Sequence, residues 1–287
     1  MIKNMLLATM LVALTTFSCS NDDDNAPALS NLTLNLNGLE PLGADYAYEG
    51  WIIVNGNPVS TGVFTSVVFP QTFQVNSSQL NAATTFVLSI EPANDSDPAP
   101  ADTKLMVGDF NGDSANVTTG IVGDFSTASG AFFLRTPTDE SGANNGNDQY
   151  GVWFGTPGMP PTANFNLPTL PDGWTYEGWV VGDSGPITTG TFTAFNTADN
   201  AAPFSETQQA GPPVPGEDFF LNAPMGETFP LDVRGRTVVI SVEPVPDDSP
   251  APFVIKPLVG VSGNDTAPVT HSMGMNLSSL PWGTVSR

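Results

Sequence analysis

Short stretches in which apolar or β-branched residues alternate with polar ones recur along the chain. In the N-terminal half they occupy residues 51–54, 62–65 and 85–90, and Gly, Pro, Asn and Asp separate them. This pattern is typical of half-buried β-strands bounded by turns. Apolar residues do not recur at helical spacing over three or more turns. The chain is therefore predicted to be all-β.

The pattern occurs twice. Tyr-Glu-Gly-Trp at residues 48–51 returns at residues 176–179, which is 128 positions later. Ser-Ile-Glu-Pro at residues 89–92 returns as Ser-Val-Glu-Pro at residues 241–244, which is 152 positions later. The second copy has therefore gained 24 residues between these two blocks.

The repeat divides the chain into residues 29–160 and 161–287 and predicts two tandem β-sandwich-like domains of about seven strands each. Residues 121–154 occur only between the copies, and either complete the first sheet or bridge the two. Leu-Ser-Ser-Leu-Pro at residues 277–281 is similar to Leu-Pro-Thr-Leu-Pro at residues 167–171. This similarity suggests that each unit closes with a strand borrowed across the boundary.

The insertion forms a long loop over residues 194–236 of the second copy. A loop of this length without regular structure is uncommon in a compact domain and is usually functional or disordered. Its many prolines and its phenylalanines Phe204, Phe219 and Phe220 make it the candidate recognition surface. The alternative is that the loop packs these rings on its own domain.

The N-terminus has the features of an export signal. Lys3 precedes an apolar run over residues 5–14, which is shorter than the roughly 20 residues that a membrane-spanning helix needs. Ser18 followed by Cys19 resembles the lipobox of bacterial lipoproteins, in which the cysteine is lipidated. This resemblance implies a signal peptide over residues 1–18. An ordinary secretory signal followed by a free thiol is the alternative.

Residues 19–28 are predicted to be an acidic tether between the lipid and the first domain. The run Ser-Asn-Asp-Asp-Asp-Asn at residues 20–25 resembles the acidic export signals of Bacteroidota lipoproteins. We therefore expect a cell-envelope protein that is anchored in the outer membrane by its lipid. Because of the acidic run, we further expect the protein to be displayed on the cell surface.

Charge and composition exclude several classes of function. The chain carries 29 acidic and 7 basic residues, so its net charge of -22 repels polyphosphates, and we expect no nucleic-acid partner. Lipidation of Cys19 removes the single thiol, and His271 is the single histidine. A zinc site of His and Cys ligands, or a nucleophile activated by histidine, would therefore depend on His271 alone. We expect no catalytic residue, no metal site and no cofactor.

Four carboxylates recur at equivalent positions of the two copies: Glu49 with Glu177, and Glu91 with Glu243. A glycosidase-like pair is one interpretation. Duplication instead favours a structural role, such as accepting backbone amides at a strand end, because an active site rarely needs two copies. His271 is expected at the surface or at a sheet edge rather than in a catalytic triad.

Residues 109–113, Asp-Phe-Asn-Gly-Asp, place oxygen ligands at alternate positions, as the start of a calcium loop does. The glycine and the glutamate that should follow are missing, so a polar hairpin turn is predicted. Ser114 and Thr266 each stand between Asp and Ala and resemble O-glycosylation acceptors of exported Bacteroidota proteins. Ordinary turn chemistry is the alternative.

The aromatic residues of the repeated motif could serve either of two purposes. Tyr48, Trp51, Tyr176 and Trp179 are suited to stacking on sugar faces, and they are also suited to filling a core. Side chains three residues apart point to opposite faces of a regular strand, so at least one of each pair should be buried. We predict core packing.

Three blocks of the first copy, residues 48–51, 58–64 and 89–92, resemble in order the extracytoplasmic domain of anti-sigma-K factors. With their counterparts, the resemblance covers most of residues 39–108 and 167–260. It implies an outer domain that such factors carry together with a cytoplasmic sigma-binding domain and one transmembrane helix. Here we expect only the outer domain, in two copies.

These observations favour a non-enzymatic envelope lipoprotein that is attached to the membrane by its lipid and binds or scaffolds a protein or glycan partner. An accessory of a sigma/anti-sigma signalling system is one alternative. A surface hydrolase that acts on glycans, or a glycan-binding protein, is the other.

Overall fold

The computed structural model describes residues 27–140, 145–247 and 249–287. Of the chain, 41% is strand and 6% is helix, which confirms the all-β prediction. None of the described helices is long and apolar enough to cross a membrane. Cys19, the predicted signal peptide and most of the tether lie outside the described residues.

The first sheet has eight strands in the spatial order β3-β2-β5-β6-β7-β16-β1-β4. All its neighbouring strands are antiparallel. A single short α-helix, Ser77–Ala82, follows the edge strand β4 and is capped by the side chain of Asn76. The strands are β1 (Leu29–Asn37), β2 (Tyr46–Val54), β3 (Asn57–Phe64), β4 (Gln71–Asn76), β5 (Thr85–Pro92), β6 (Lys104–Asn111), β7 (Ser114–Thr118) and β16 (Trp282–Ser286).

The second sheet repeats this arrangement in the order β11-β10-β13-β14-β15-β8-β9-β12. Strands β10, β11, β13 and β14 take the places that β2, β3, β5 and β6 hold in the first sheet. Short 3-10 helices occupy Thr119–Ile121, Asp148–Tyr150 and Leu277–Ser279. The strands are β8 (Gly130–Leu134), β9 (Gly151–Phe154), β10 (Trp174–Val181), β11 (Pro186–Phe192), β12 (Gly216–Asp218), β13 (Thr237–Pro244), β14 (Leu258–Val261) and β15 (His271–Met275).

Each sheet curls until it almost closes on itself. The edge strands β3 and β4 approach each other in the first sheet, and β11 and β12 do so in the second. Each domain is therefore one nearly barrel-shaped sheet, and the predicted pair of tandem β domains is confirmed. Alternation of apolar and polar residues is the same in a sandwich and in a barrel, since both bury one face of every strand.

The two domains do not follow the predicted boundary at residue 160. Strands β8 and β9 lie before it but belong to the second sheet, and β16 lies near the C-terminus but pairs with β7 and β1 in the first. The second domain is thus continuous over residues 130–275 and is inserted between β7 and β16. This agrees with the hypothesis of a strand borrowed across the boundary.

Inward-facing residues of both sheets form one continuous hydrophobic cluster. In β1, the alternate residues Leu32, Leu34 and Leu36 are buried, as the period of two predicts. In the second domain Val238, Ile240 and Val242 of β13 join the same cluster, although the residues between them are also buried. The shared cluster means that the two domains are packed against each other by their apolar side chains.

Candidate functional site

The repeated Tyr-Glu-Gly-Trp motif has a structural role in both domains. Tyr48 is buried and its hydroxyl donates to the carbonyl of Glu40 at 2.8 Å, while Tyr176 donates to the carbonyl of Pro168 at 2.6 Å. Trp51 and Trp179 are each only 2% exposed. All four rings are buried, so they cannot form a platform for sugars. Core packing is confirmed for Tyr48 and Tyr176, which belong to the hydrophobic cluster, whereas Trp51 and Trp179 are buried outside it.

Each tryptophan begins a short chain of hydrogen bonds on the outer face of its sheet. In the first domain Trp51 Nε1 donates to Ser89 Oγ at 2.8 Å, and the Ser89 hydroxyl donates to Glu91. In the second domain Trp179 donates to Ser241 at 2.7 Å, and Ser241 donates to Glu243. The tryptophan and the carboxylate are thereby held in fixed positions relative to each other.

Both carboxylates at the ends of these chains also accept backbone amides, as their repetition suggested. Glu91 Oε1 accepts from the amide of Ala101 at 2.9 Å, and both oxygens of Glu243 accept from the amide of Phe253 at 3.0 and 3.1 Å. Each contact fastens the loop that follows β5 or β13 to the end of that strand. The arrangement satisfies buried donors and stabilises a loop.

The second pair of repeated carboxylates lies on the neighbouring strand. Glu49 accepts from the hydroxyl of Ser60, and Glu177 accepts from that of Thr188. The two pairs differ in one respect: Glu177 Oε2 is buried and has no hydrogen-bond partner among the described residues. Burial raises the pKa of Glu177 to about 7, and the hydrogen bond from Thr188 opposes this effect.

Three carboxylates of the second domain converge at this point. One oxygen each from Glu177, Glu243 and Asp247 lies within 4.8 Å of the others. Glu177 and Glu243 are buried, whereas Asp247 is exposed. Burial raises the pKa of Glu243 to about 8, two hydrogen bonds oppose this effect, and the charge of Asp247 adds to it.

Next to these carboxylates a cleft of about 570 Å³ separates the two domains. Its first wall comes from the loop before β2, from the end of β5 and from the loop that precedes β6. Its second wall comes from the end of β13 and the loop that follows. Tyr46 and Phe253 line it together with several prolines. A cavity of this size can enclose a small ligand or a few side chains of a peptide.

The lining of the cleft is rich in acidic residues. Five of the described residues that line it are carboxylates and none is basic. The nearest cations lie outside the lining: Lys104 is 3.9 Å from an Asp102 oxygen, and the charge of Lys256 partly opposes the rise that burial causes in the pKa of Glu40. The lining carboxylates are Glu40, Asp45, Asp102, Glu243 and Asp247.

The phenylalanines of the inserted loop pack on their own domain. Phe204 and Phe219 are 8% and 0% exposed, and both rings contact Phe229. Phe220 is half-buried against Tyr150. The hypothesis that these rings are exposed contacts is therefore wrong for Phe204 and Phe219. The loop also contains strand β12, which pairs with β9 and anchors it.

The loop contains a buried acidic pair that the sequence did not single out. Glu217 and Asp218 are both fully buried. Glu217 accepts from the hydroxyl of Ser205, and Asp218 accepts from the amide of Thr138 at 2.9 Å and from Trp153 Nε1 at 3.1 Å. Burial raises the pKa of Glu217 to about 8 and that of Asp218 to about 7, against the effect of these hydrogen bonds.

His271 is the first residue of strand β15, which pairs with β14 and β8, and both of its ring nitrogens are in use. Nδ1 accepts from the amide of Gly263 at 3.1 Å, so Nε2 carries the proton and donates to the carbonyl of Asp265 at 2.9 Å. The ring packs 5.3 Å from that of Phe132. These contacts fit the expected structural role and leave the imidazole no free nitrogen to act as a base.

The remaining predicted sites lie in turns. Residues 109–113 end β6 and form the hairpin to β7, in agreement with the predicted polar turn. Ser114 is exposed as the first residue of β7, whereas Thr266 is half-buried in the loop before β15. The two proposed glycosylation positions therefore do not share a local structure. Cys19 lies outside the described residues.

The fold defines an all-β protein of two domains with a cleft between them. A family model described as "Anti-sigma-K factor rskA, C-terminal" matches residues 25–104. This match covers the first domain up to the start of β6, and it agrees with the resemblance carried by the repeated motifs. Comparisons with curated proteins and with solved structures give no significant match.

Proposed function

We propose that this protein is a non-enzymatic cell-envelope lipoprotein that binds a cationic ligand between two anti-sigma-K-like domains. The observation that carries the proposal is the cleft of about 570 Å³ whose described lining holds five carboxylates and no basic residue. Carboxylates lining a concave, partly desolvated surface attract positive charge and repel anions. The shared hydrophobic cluster supports the proposal because it holds the two walls together.

The composition of the cleft narrows the ligand to an organic cation with apolar groups. Tyr46 and the prolines offer flat apolar surfaces, and the exposed carboxylates Asp45, Asp102 and Asp247 offer partners for ammonium or guanidinium groups. Lysine- or arginine-containing peptide segments and small aromatic amines have this chemistry in common. We take a peptide as the source, because a cavity of about 570 Å³ can enclose a few side chains of a peptide segment.

A binding role is preferred to catalysis because each recurring carboxylate accepts a hydrogen bond within its own domain. Glu91 and Glu243 hold backbone amides, and Glu49 and Glu177 hold hydroxyl groups. Among the described residues, Glu177 Oε2 is buried without a partner, but Glu177 does not line the cleft. Both nitrogens of His271 are also engaged. A general base needs a free lone pair within reach of substrate.

The cleft proposal is tested by titrating the full-length protein, in detergent, with a hexapeptide of alternating lysine and phenylalanine. The control peptide has glutamate in place of lysine. We expect binding of the lysine peptide only, and a loss of about fivefold in affinity for each cleft carboxylate that is neutralised. Asp45→Asn and Asp102→Asn are suitable because both side chains are exposed.

Asp113→Asn is the matched variant, since Asp113 is an exposed carboxylate in the hairpin between β6 and β7, outside the cleft lining. It should bind the lysine peptide as the wild type does. Equal binding of both peptides, or an equal loss in all three variants, would show that the cleft does not select for positive charge.

Anchoring through Cys19 is part of the same proposal. The intact mass of the protein isolated from its own cells should show a chain that begins at Cys19 and carries lipid. The same spectrum reveals any sugar on Ser114 or Thr266. A chain that begins elsewhere without a lipid increment would contradict the anchor.

The second candidate is an accessory role in sigma/anti-sigma signalling, which the family match over residues 25–104 supports. In that case the peptide in the cleft would belong to a membrane-bound regulator. Deleting the gene should then change the output of a reporter driven by the cognate sigma factor, and the Asp45→Asn, Asp102→Asn double variant should fail to restore it. An unchanged reporter would remove this candidate and leave the binding proposal intact.

A further inference from the structure

The three carboxylates at the end of β13 have the geometry of a cation site. One oxygen from each of Glu177, Glu243 and Asp247 lies within 4.8 Å of the other two. Oxygen ligands of Ca²⁺ stand about 2.3–2.6 Å from the ion, so two of them are separated by at most about 5 Å. All three oxygens can therefore contact one ion that lies between them.

An independent observation points to a missing partner here. Glu177 is 5% exposed, and its Oε2 atom is fully buried without a hydrogen-bond partner among the described residues. A buried carboxylate oxygen without a partner is costly, and native structures rarely tolerate it. In the described part of the chain, neither Glu177 nor Glu243 forms an ion pair with a lysine or arginine.

The first domain provides an internal comparison. Glu49, Glu91 and Asp95 are the residues equivalent in sequence to Glu177, Glu243 and Asp247. They do not converge within 4.8 Å, and neither Glu49 nor Glu91 has a buried oxygen without a partner. The convergence and the unpartnered oxygen thus occur together in the second domain, although both domains carry the same three residue types.

We propose that Glu177, Glu243 and Asp247 bind one Ca²⁺ ion at the border of the inter-domain cleft. Three carboxylates without nitrogen or sulfur ligands suit a hard cation. Calcium is favoured over magnesium because it accepts irregular geometry and completes its shell with water and carbonyl oxygens. Water reaches the site from the cleft, since Glu243 and Asp247 also line it.

The test is a calorimetric titration of the full-length protein with CaCl₂ after treatment with a chelator. We expect one site with a dissociation constant between about 10 μM and 1 mM, the range of weak extracellular and sensor sites. Terbium provides a second readout, because Trp179 is linked through Ser241 to Glu243 and can sensitise the luminescence of an ion bound there.

The repeat supplies matched variants for every ligand. Glu177→Gln and Asp247→Asn should each weaken Ca²⁺ binding at least tenfold, whereas Glu49→Gln and Asp95→Asn should leave it unchanged. Asp247 is exposed, so its replacement tests the site without disturbing the core, and thermal unfolding checks that each variant is folded.

Two results would overturn the proposal. One is the absence of both calcium heat and terbium luminescence from the folded wild type, which would mean that the carboxyl groups share a proton instead. The other is an equal loss of binding in the first-domain variants. The titration contains no peptide, and the peptide test uses Asp45 and Asp102, so the calcium site and the cleft can fail independently of each other.

Discussion

Gly50 and Gly178 stand at equivalent irregularities of the two sheets, where the pairing register of β2 and β10 shifts just before the tryptophan. A methyl group on Gly178 would overlap Thr189 Oγ1 and the ring of Phe154. On Gly50 it would lie 2.5 Å from Thr61 Oγ1 and 3.2 Å from the ring of Phe86. Glycine is therefore required in the motif because the neighbouring strand and the core leave no room for a side chain.

This close approach predicts the effect of a single methyl group. Gly178→Ala should lower the free energy of unfolding by about 1–3 kcal/mol through overpacking. Gly274→Ala is the matched control, since its new Cβ would meet only the carbonyl of Val259 at an ordinary 3.5 Å. Denaturant unfolding followed by tryptophan fluorescence measures both. Equal stability of the two variants would show that the space around Gly178 adjusts freely.

Strand β16 stabilises the first domain, although it is distant in sequence from the other strands of that domain. It fills the gap between β7 and β1, and Val285 in its centre is fully buried. Arg287 then donates to the carbonyls of Leu80 and Ala83 and lies 4.6 Å from the ring of Phe110. All of these contacts are within the first domain.

Removing residues 282–287 should therefore unfold the first domain and spare the second. We expect a loss of at least about 3 kcal/mol, equivalent to roughly 10 °C in the melting temperature. Hydrogen exchange should locate the lost protection in β1 and β7, with β13 unaffected. A synthetic peptide of residues 282–287, added to the truncated protein, should restore part of this protection. Lost protection in β13 instead would contradict the observed strand order.

The sequence predicted the strands better than their partners. Residues 51–54 and 85–90 alternate in a way that local physics explains, since one face of each strand is buried. No local property of residues 130–134 shows that they pair with β15 and β9 rather than with β7. Which sheet receives a strand is decided by long-range packing.

The same limit applies to the candidate site. A structural role for Glu91 and Glu243 is predictable because both residues recur at equivalent positions of the two copies. The cleft was not recognised, since its walls come from segments about 150 residues apart. For the phenylalanines of the loop, the sequence leaves exposure and packing on their own domain both open. The structure shows packing for Phe204 and Phe219, whose rings contact Phe229.

The whole molecule should be more stable in mild acid than at neutral pH. Burial raises the pKa of Glu217 from 4.5 to about 8 and that of Asp218 from 3.8 to about 7. At a pH between the ordinary pKa of each group and its raised pKa, the folded state holds a proton that the unfolded state releases. The free energy of unfolding therefore falls as the pH rises through this range. The stabilising contribution is complete below about pH 4 and is lost by about pH 8.

Melting temperatures between pH 5 and pH 8 check this expectation. The slope from one such group is at most about 1.4 kcal/mol per pH unit. Glu217→Gln should flatten the profile, since the amide cannot lose a proton, whereas Asp113→Asn, which replaces an exposed carboxylate, should preserve it. A profile that rises from pH 5 to pH 8 in the wild type would contradict the proposed protonation of the buried pair.

The insertion of the second domain between β7 and β16 has a mechanical consequence. The polypeptide crosses from one domain to the other twice, once after Thr118 and once before Trp282. Two covalent crossings restrict rotation and separation of the two domains far more than one linker does. The two walls of the cleft therefore cannot move far apart. A ligand therefore has to enter a cleft whose width is fixed before binding.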